Sequence, residues 1–257
     1  MTDYQQRAGD YDGSERNRRF YRHWAQTCVA DLSALSEARV LELGCGSGIS
    51  TEVFAETLGS RSYCGIDACG AMLDLARAKP ALSGVTFEES PAEALPLGDA
   101  SVDLVLSSFA FHWFQPEAAL REIARVLAPG GRVRLLIPSL VKGHCPEAGN
   151  GLLRRQFVRA VRSGKTSPNR SIGLSLEAVV APATAAGLEV ALERSVERVE
   201  DFDSESEFWW TLESRGSLEA IFGPDFAPPT AASAPAAPLS LRWRGIVVEL
   251  LPKIAKP

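Results

Sequence analysis

The stretch from Val40 to Thr51 constrains this 257-residue chain more than any other. Residues 40–43 form a mostly apolar run that reads as the end of a buried strand. Residues 49–58 follow a helical pattern that Gly59 stops. Between them, Gly44, Gly46 and Gly48 stand at alternate positions. Glycine accepts positive φ and lets a ligand approach bare backbone. A helix that begins just after such a turn directs its free N–H groups and positive dipole end into it. The product is a strand–turn–helix cradle suited to a nucleotide-like ligand. Ile49 occupies the place of the third glycine in the dinucleotide pattern G-x-G-x-x-G, and no Gly-Lys-Ser/Thr ending follows. Glu42 sets a carboxylate two residues before the first glycine, where it would repel a pyrophosphate and favour an amine or a sulfonium.

Glu42, Gly44, Gly46 and Gly48 together resemble motif I, E/D-x-G-x-G-x-G, of the class I S-adenosylmethionine-dependent methyltransferases. The resemblance implies S-adenosylmethionine as cofactor and S-adenosylhomocysteine as product, with the turn, Cys45 included, against the ligand. Residues 63–66 read as a second strand ending at Asp67, which follows Gly44 by 23 residues. An acid at that distance from a glycine turn typically binds ribose hydroxyls. Asp67 is otherwise the N-cap of a helix over 68–79. Ala68 adjoins it, and Met72, one turn on, packs under the adenine or into the core.

Residues 85–88 read as a third strand, and the loop after it resembles the family's adenine-binding D-A-E-x-L-P. Ala92, Glu93, Leu95 and Pro96 match, whereas Pro91 replaces the aspartate. A Ser90 hydroxyl or a backbone carbonyl would then accept from the adenine amino group. Residues 100–109 form a strong strand rich in Val102, Leu104, Val105 and Leu106. It leads through Ser107, assigned to the cofactor, into Phe111, His112 and Trp113. Relatives that methylate carboxylates and other small acceptors often carry a similar His-Trp pair. His112 is a candidate general base, or it positions substrate or bonds to backbone. Upstream, residues 7–12 resemble an aromatic-acidic segment in which a tyrosine closes over the cofactor, a role that falls to Tyr11 or leaves it anchoring a terminal arm.

Elsewhere, residues 17–35 carry one or two helices, and 116–127 a helix with Pro116 in its first turn. Pro129, Gly130 and Gly131 end that helix, and 133–137 read as strand five. Loops are expected at 142–150, which holds His144 and Cys145 without further metal ligands, and at 165–170. Helices at 152–161 and 176–186, a strand at 188–199 and a last strand at 241–251 complete the pattern. A helix over 206–222 brings Trp209 and Trp210, which in this family would roof the acceptor pocket together with Phe111 and Trp113, or else bury into the cap. Residues 227–238, rich in Ala and Pro, read as a connector.

The implied fold is α/β: a Rossmann-like, doubly wound, seven-stranded, mostly parallel sheet with helices on both faces and an α-helical cap. We read one methyltransferase domain over 1–257: a helical arm at 1–39, a cofactor-binding core at 40–140, a cap insert with the sixth strand at 141–240, and a final strand at 241–257. The net charge of −5 gives no basic footprint for nucleic acid. The five cysteines form no C-x-x-C pair, which suits a reducing cytoplasm and argues against a metal ribbon. The polar start predicts no secretory signal, and no apolar run reaches the roughly 20 residues of a membrane span. The expected partner is a small molecule, methylated at a carboxylate or hydroxyl oxygen, and the expected assembly a monomer or homodimer. Two rival readings are a protein of this fold that binds the cofactor without methylating, and a nicotinamide oxidoreductase, against which Ile49 stands.

Overall fold

The computed structural model describes residues 4–32, 37–139, 148–163, 174–215, 217–222 and 239–253. Its strands are β1 (Arg39–Leu43), β2 (Ser62–Asp67), β3 (Thr86–Glu89), β4 (Val102–Ser108), β5 (Leu127–Ser139), β6 (Leu188–Phe202) and β7 (Leu239–Pro252). They form one seven-stranded sheet in the order β3-β2-β1-β4-β5-β7-β6. β1 to β5 pair in parallel, and β7 runs antiparallel between β5 and β6. The order reverses between β1 and β4, so the crossovers from these two strands leave on opposite faces and open a crevice at their carboxyl ends.

The helices are α1 (Tyr4–Gly13), α2 (Glu15–Val29), α3 (Ile49–Leu58), α4 (Gly70–Arg77), α5 (Pro116–Val126), α6 (Ala148–Arg162), α7 (Glu177–Ala185), α8 (Glu205–Ser214) and α9 (Ser217–Phe222). Alternation along the strands decides which helices each face receives. Val40, Leu104 and Leu106 meet Phe20 and Trp24 of α2 and Val53 and Phe54 of α3. Leu41, Leu43 and Val105 turn the other way, onto Leu120 and Ile123 of α5 and Val179 of α7. Both faces of the parallel part are covered, which explains its nearly unbroken apolar strands. α2 starts where Ser14 Oγ accepts from the Asn17 N–H at 3.2 Å.

Several boundaries differ from the sequence reading. Residues 7–12 are helical, inside α1. Pro129 to Gly131 lie within β5 as a bulge, because pairing jumps from Val102↔Leu127 to Leu104↔Arg132. The single helix expected over 206–222 is two, α8 and α9. Residues 142–147, 165–170 and 227–238 lie outside the described residues. No helix among the described residues is long and apolar enough to cross a membrane.

A buried cation ties α2 to the sheet. Arg134 of β5, 2% exposed, bonds Glu249 across the β5–β7 pair and donates from Nη1 to Asp31 Oδ1 at 2.7 Å and the Cys28 carbonyl at 3.2 Å. Removing one partner of such a group leaves the others unpaired in a poorly solvated place. Arg134→Ala is expected to cost about 3–5 kcal/mol of unfolding free energy by urea denaturation. A loss below about 1 kcal/mol would show that water replaces the guanidinium.

Candidate active site

The turn after β1 is shaped by what its glycines lack. A Cβ on Gly44 would lie 2.2 Å from the Ala110 Cβ, in the turn after β4. One on Gly48 would meet Leu82 at 2.6 Å and Ala76 at 3.2 Å. These two glycines therefore serve packing. Gly46 differs: its φ is +54° and a Cβ there would meet nothing within 4 Å. It is the one glycine of the three whose bare backbone faces open space. Gly44 N–H and Cys45 N–H both donate to the Ile66 carbonyl, at 2.7 and 3.2 Å, and anchor the turn to β2. Asp67 completes the brace. Its Oδ2 accepts from Gly46 N–H at 2.8 Å and its Oδ1 from Cys69 N–H at 2.9 Å. Helix α4 starts at Gly70 behind a Cys69 cap, so Asp67 closes the turn before the helix rather than capping it. Burial raises its pKa, partly offset by these backbone donors. Two accepted bonds leave the carboxylate free lone pairs for a ligand hydroxyl.

Above the turn lies a cleft of about 520 Å³, counting its open mouth. Gly44, Cys45, Gly46, Asp67, Met72 and Tyr11 line it, as the sequence suggested. Tyr4, Tyr21, Ser108 and Phe109 also line it and were not foreseen. α1 lies across the mouth, held by Lys79 Nζ to Asp12 Oδ1 at 2.9 Å and by Tyr4 Oη to the Arg215 carbonyl at 3.0 Å. Tyr11 stacks on Tyr21 with centroids 5.1 Å apart and meets Tyr4 edge-on at 6.0 Å. Burial pushes the Tyr11 phenol well above its usual pKa, so it stays neutral.

A second cavity, of about 350 Å³, adjoins the first. Tyr4, Tyr21, Phe109 and Trp113 line both. His112, Arg215 and Trp243 belong to the second alone. Phe109 has a φ of +55°, a left-handed conformation that is strained for a bulky residue and is the local signal that marks this junction. The ring of His112 lies 4.8 Å from that of Trp113, and its Nδ1 is enclosed without a hydrogen-bond partner. Burial pushes the imidazole pKa down to about 3.

Other expected contacts fall elsewhere. Glu42 does not line the cleft: it lies 1% exposed beneath the turn, accepting from Thr51 Oγ1 at 2.7 Å and Tyr63 Oη at 2.8 Å. Its position on β1 turns it toward α3, away from the ligand side. Ala68 is exposed beyond the cleft, and Ser107 is buried beneath it. Ala92 packs into the α5-side core, and Glu93 accepts from Gln115 N–H at 2.6 Å. The 90–97 loop is thus tied to α5, while Ser90 Oγ donates to its own loop's Ala94 carbonyl at 2.7 Å. Phe111 is fully buried against Phe114. Trp209 buries against Phe208 and donates to Glu205 at 3.0 Å, and Trp210 is 45% exposed. Neither tryptophan lines either cavity, because α8 turns its inner face to the β6–β7 core. The roof is instead α1 with Trp113. Among the described residues no three His, Cys, Asp or Glu are grouped to hold a metal.

Residues 41–135 match the family model described as a methyltransferase domain. Over this stretch the chain is similar to the class I S-adenosylmethionine-dependent methyltransferases. Over 98 residues it is 43% identical to an uncharacterized methyltransferase of Mycobacterium bovis, covering 38% of this chain and 39% of that protein. It is 38% identical over 98 residues to the malonyl-[acyl-carrier protein] O-methyltransferase of Methylococcus capsulatus, covering 37% and 36%. The match thus spans well under half the length of the curated relatives. A complex between the Haloferax volcanii Trm112 methyltransferase activator and a methyltransferase shares the fold, with a TM-score of 0.61, 21% identity and 96% and 98% coverage. The cleft fits a nucleoside bearing a sulfonium. Bare backbone at Gly46, the unpartnered buried hydroxyl of Ser108 and the free lone pairs of Asp67 suit its polar parts. The rings of Tyr4, Tyr11 and Tyr21 suit its cation.

Two substitutions separate packing from ligand contact. Gly46→Ala is expected to fold, at a cost of about 1 kcal/mol for its positive φ, yet to weaken S-adenosylhomocysteine binding at least tenfold by calorimetry. Gly44→Ala should lose stability whether or not ligand is present. Equal affinity for wild type and Gly46→Ala would remove the turn from the binding site.

Glu42 gives the domain a pH signature. Burial pushes its carboxyl up to about 7, against an ordinary 4.5, and the donors Thr51 and Tyr63 only partly oppose this. Between those values the folded protein keeps a proton that the unfolded chain has released, so this group's contribution to stability falls as pH rises. The melting temperature of Glu42→Gln is expected to gain on wild type from about pH 5 to about pH 8. Parallel curves would mean that Glu42 is already ionised in the fold at the lower pH.

Proposed function

We infer that this chain is an enzyme that binds S-adenosylmethionine in the glycine-turn cleft and methylates a small molecule held in the adjoining aromatic cavity. The observation that carries this reading is the wall of four residues, Tyr4, Tyr21, Phe109 and Trp113, common to both spaces. Residues common to both spaces set a donor and an acceptor side by side, which is the main requirement of a two-substrate transfer, and the methyl passes once these side chains give way between them. The arm at 1–39 and the insert at 141–240 both supply walls, so we treat 1–257 as one functional unit. The acceptor atom is an oxygen, of a carboxylate or a hydroxyl. The O-methyltransferase among the relatives supports this, as does the unpartnered His112 Nδ1, which suits a hydroxyl in particular.

When bound, S-adenosylmethionine supplies an electrophilic methyl on a sulfonium. Asp67 and Gly46 hold its polar end, and the tyrosine rings keep water from the reacting side. His112 stays neutral at physiological pH because charging it in this enclosure is unfavourable. A neutral imidazole accepts a hydrogen bond, so His112 orients an acceptor hydroxyl; with a pKa of about 3 it is a poor base for removing the proton beforehand.

The purified chain should be heated with S-adenosylhomocysteine or NAD, then incubated with isotopically labelled S-adenosylmethionine and a small-molecule extract. Stabilisation by S-adenosylhomocysteine alone and a labelled low-mass product are expected. No stabilisation would overturn the cofactor assignment; stabilisation without any product would make this a binding protein. Once an acceptor is known, His112→Ala is expected to lower kcat/KM about 10–100-fold, mainly through KM. The wild-type profile should show no ionisation near 6.5, the ordinary histidine value. Such an ionisation, lost in His112→Ala, would restore His112 as a base.

A further inference from the structure

Among the described residues the second cavity is lined by one cation, Arg215, and the structure shows how that cation is spent. Arg215 is 3% exposed, between α8 and α9. Its Nη1 and Nη2 donate to the two oxygens of Glu200 at 2.7 and 2.9 Å, and its Nε to Asn17 Oδ1 at 2.8 Å. The guanidinium lies over the Phe20 ring at 3.9 Å. Glu200 is itself 6% exposed and takes a further bond from Trp243 Nε1 at 3.2 Å. Burial opposes its ionisation, but Arg215 outweighs that and holds its pKa below the usual carboxylate range. The pair is therefore a complete ion pair, with Arg215 in the cavity wall and Glu200 behind it. Arg16 stands 3.6 Å from the same carboxylate, yet its own guanidinium bridges Glu207 and the Asp201 carbonyl. Arg198, over the outer side of Phe20 at 5.8 Å, does not line the cavity.

Among the described residues, a carboxylate guest would find no uncompensated positive charge here. It would bring a second anion to a guanidinium that already has one, in a space poor in water. A cationic guest would find no free carboxylate among the described lining residues, because Glu200 is spent on Arg215 behind the wall. The rest of the described wall is mainly aromatic rings, with Pro138, Ser217 and His112, whose enclosed Nδ1 has no hydrogen-bond partner. Aromatic walls favour flat guests by stacking and edge contacts. Resting on the methyltransferase reading above, we propose that the acceptor is an uncharged, flat molecule carrying a hydroxyl that meets His112. In the same proposal Glu200 is the specificity-determining residue: by neutralising Arg215 it excludes carboxylate acceptors.

Three probes with one ring and one tail test this: 4-propylphenol, 4-propylbenzoate and 4-propylbenzylamine, which at neutral pH are uncharged, anionic and cationic. Each is titrated by calorimetry into the wild-type protein, with and without saturating S-adenosylhomocysteine. The phenol is expected to bind at least tenfold more tightly than either charged probe. Equal or tighter binding of benzoate or benzylamine overturns the proposal, and so does failure of all three to bind. S-adenosylhomocysteine binding is read in the same cell, so failure of the methyltransferase reading is seen separately, as loss of that signal. In Glu200→Gln the ratio of benzoate to phenol affinity should rise at least tenfold; an unchanged ratio in the folded variant removes Glu200 from selectivity. Should that variant not fold, the wild-type series alone decides.

Discussion

How near the turn after β1 can come to the turn after β4 governs the rest of this structure. At Gly44 the two turns approach so closely that one methyl group would lie 2.2 Å from Ala110. These two strands are where the sheet order reverses, so whatever binds at their ends sits between crossovers to opposite faces. Close approach lets Ala110 and Phe109 form the far wall of a cleft whose floor is Gly46. It also carries the chain directly on into the turn Phe111–Trp113, which places His112 in the neighbouring cavity. A bulkier residue at 44 would part the strand ends and separate the two spaces.

Two buried glutamates show how partners, not burial, set the charge of this interior. Glu42 receives hydroxyls from Thr51 and Tyr63, which solvate an anion only in part, and its carboxyl titrates near neutrality, at about 7. Glu200 receives a guanidinium, and its pKa is held down despite similar burial. The first braces the underside of the glycine turn without bringing a fixed charge to it. The second places a matched pair of charges in the wall of the aromatic cavity. Neither gives the cleft the free anion that the sequence spacing of Glu42 suggested.

What was legible in the sequence follows from the range of the forces involved. The glycine turn, the strand read at 63–66 that ends on Asp67 and the Pro116 helix are local patterns, and the residues that set them are neighbours in the chain. The parallel sheet followed because each apolar strand was separated from the next by a helix or a loop of suitable length. Which way a side chain points on a cap helix is not local. Trp209 and Trp210 are adjacent in sequence and roughly 100° apart around α8, so one enters the core and the other meets solvent. Only the packing of α8 on the β6–β7 pair decides which. Arg215 and Asn17 are 198 positions apart, and nothing near either residue announces the bond between them. Of the α1 roof only Tyr11 was legible, for a related reason: Tyr4 gains meaning only when Tyr11 and Trp113 come against it.

The position of the buried polar groups bears on how selectivity and rate divide between the two spaces. In the cleft they are braces: Asp67 holds the turn and offers its remaining lone pairs, and Ser108 leaves a hydroxyl unpartnered. Such a site is set before a ligand arrives, which lowers the ordering cost of binding. In the second cavity the described charge is matched by Glu200, so on the proposed function shape and a hydrogen bond at His112 would carry the discrimination. A hydrogen-bonding site of this kind rejects a guest that lacks the matching group more sharply than an apolar one rejects a change in size, because the buried polar atom is then left unpaired. His112 therefore has its strongest effect where the acceptor docks, and the shared aromatic wall has its own where donor and acceptor must be aligned. On the proposed function the two roles rest on different residues of one continuous surface, so changes in the acceptor wall would alter what is methylated while the turn at Gly46 continued to hold the donor.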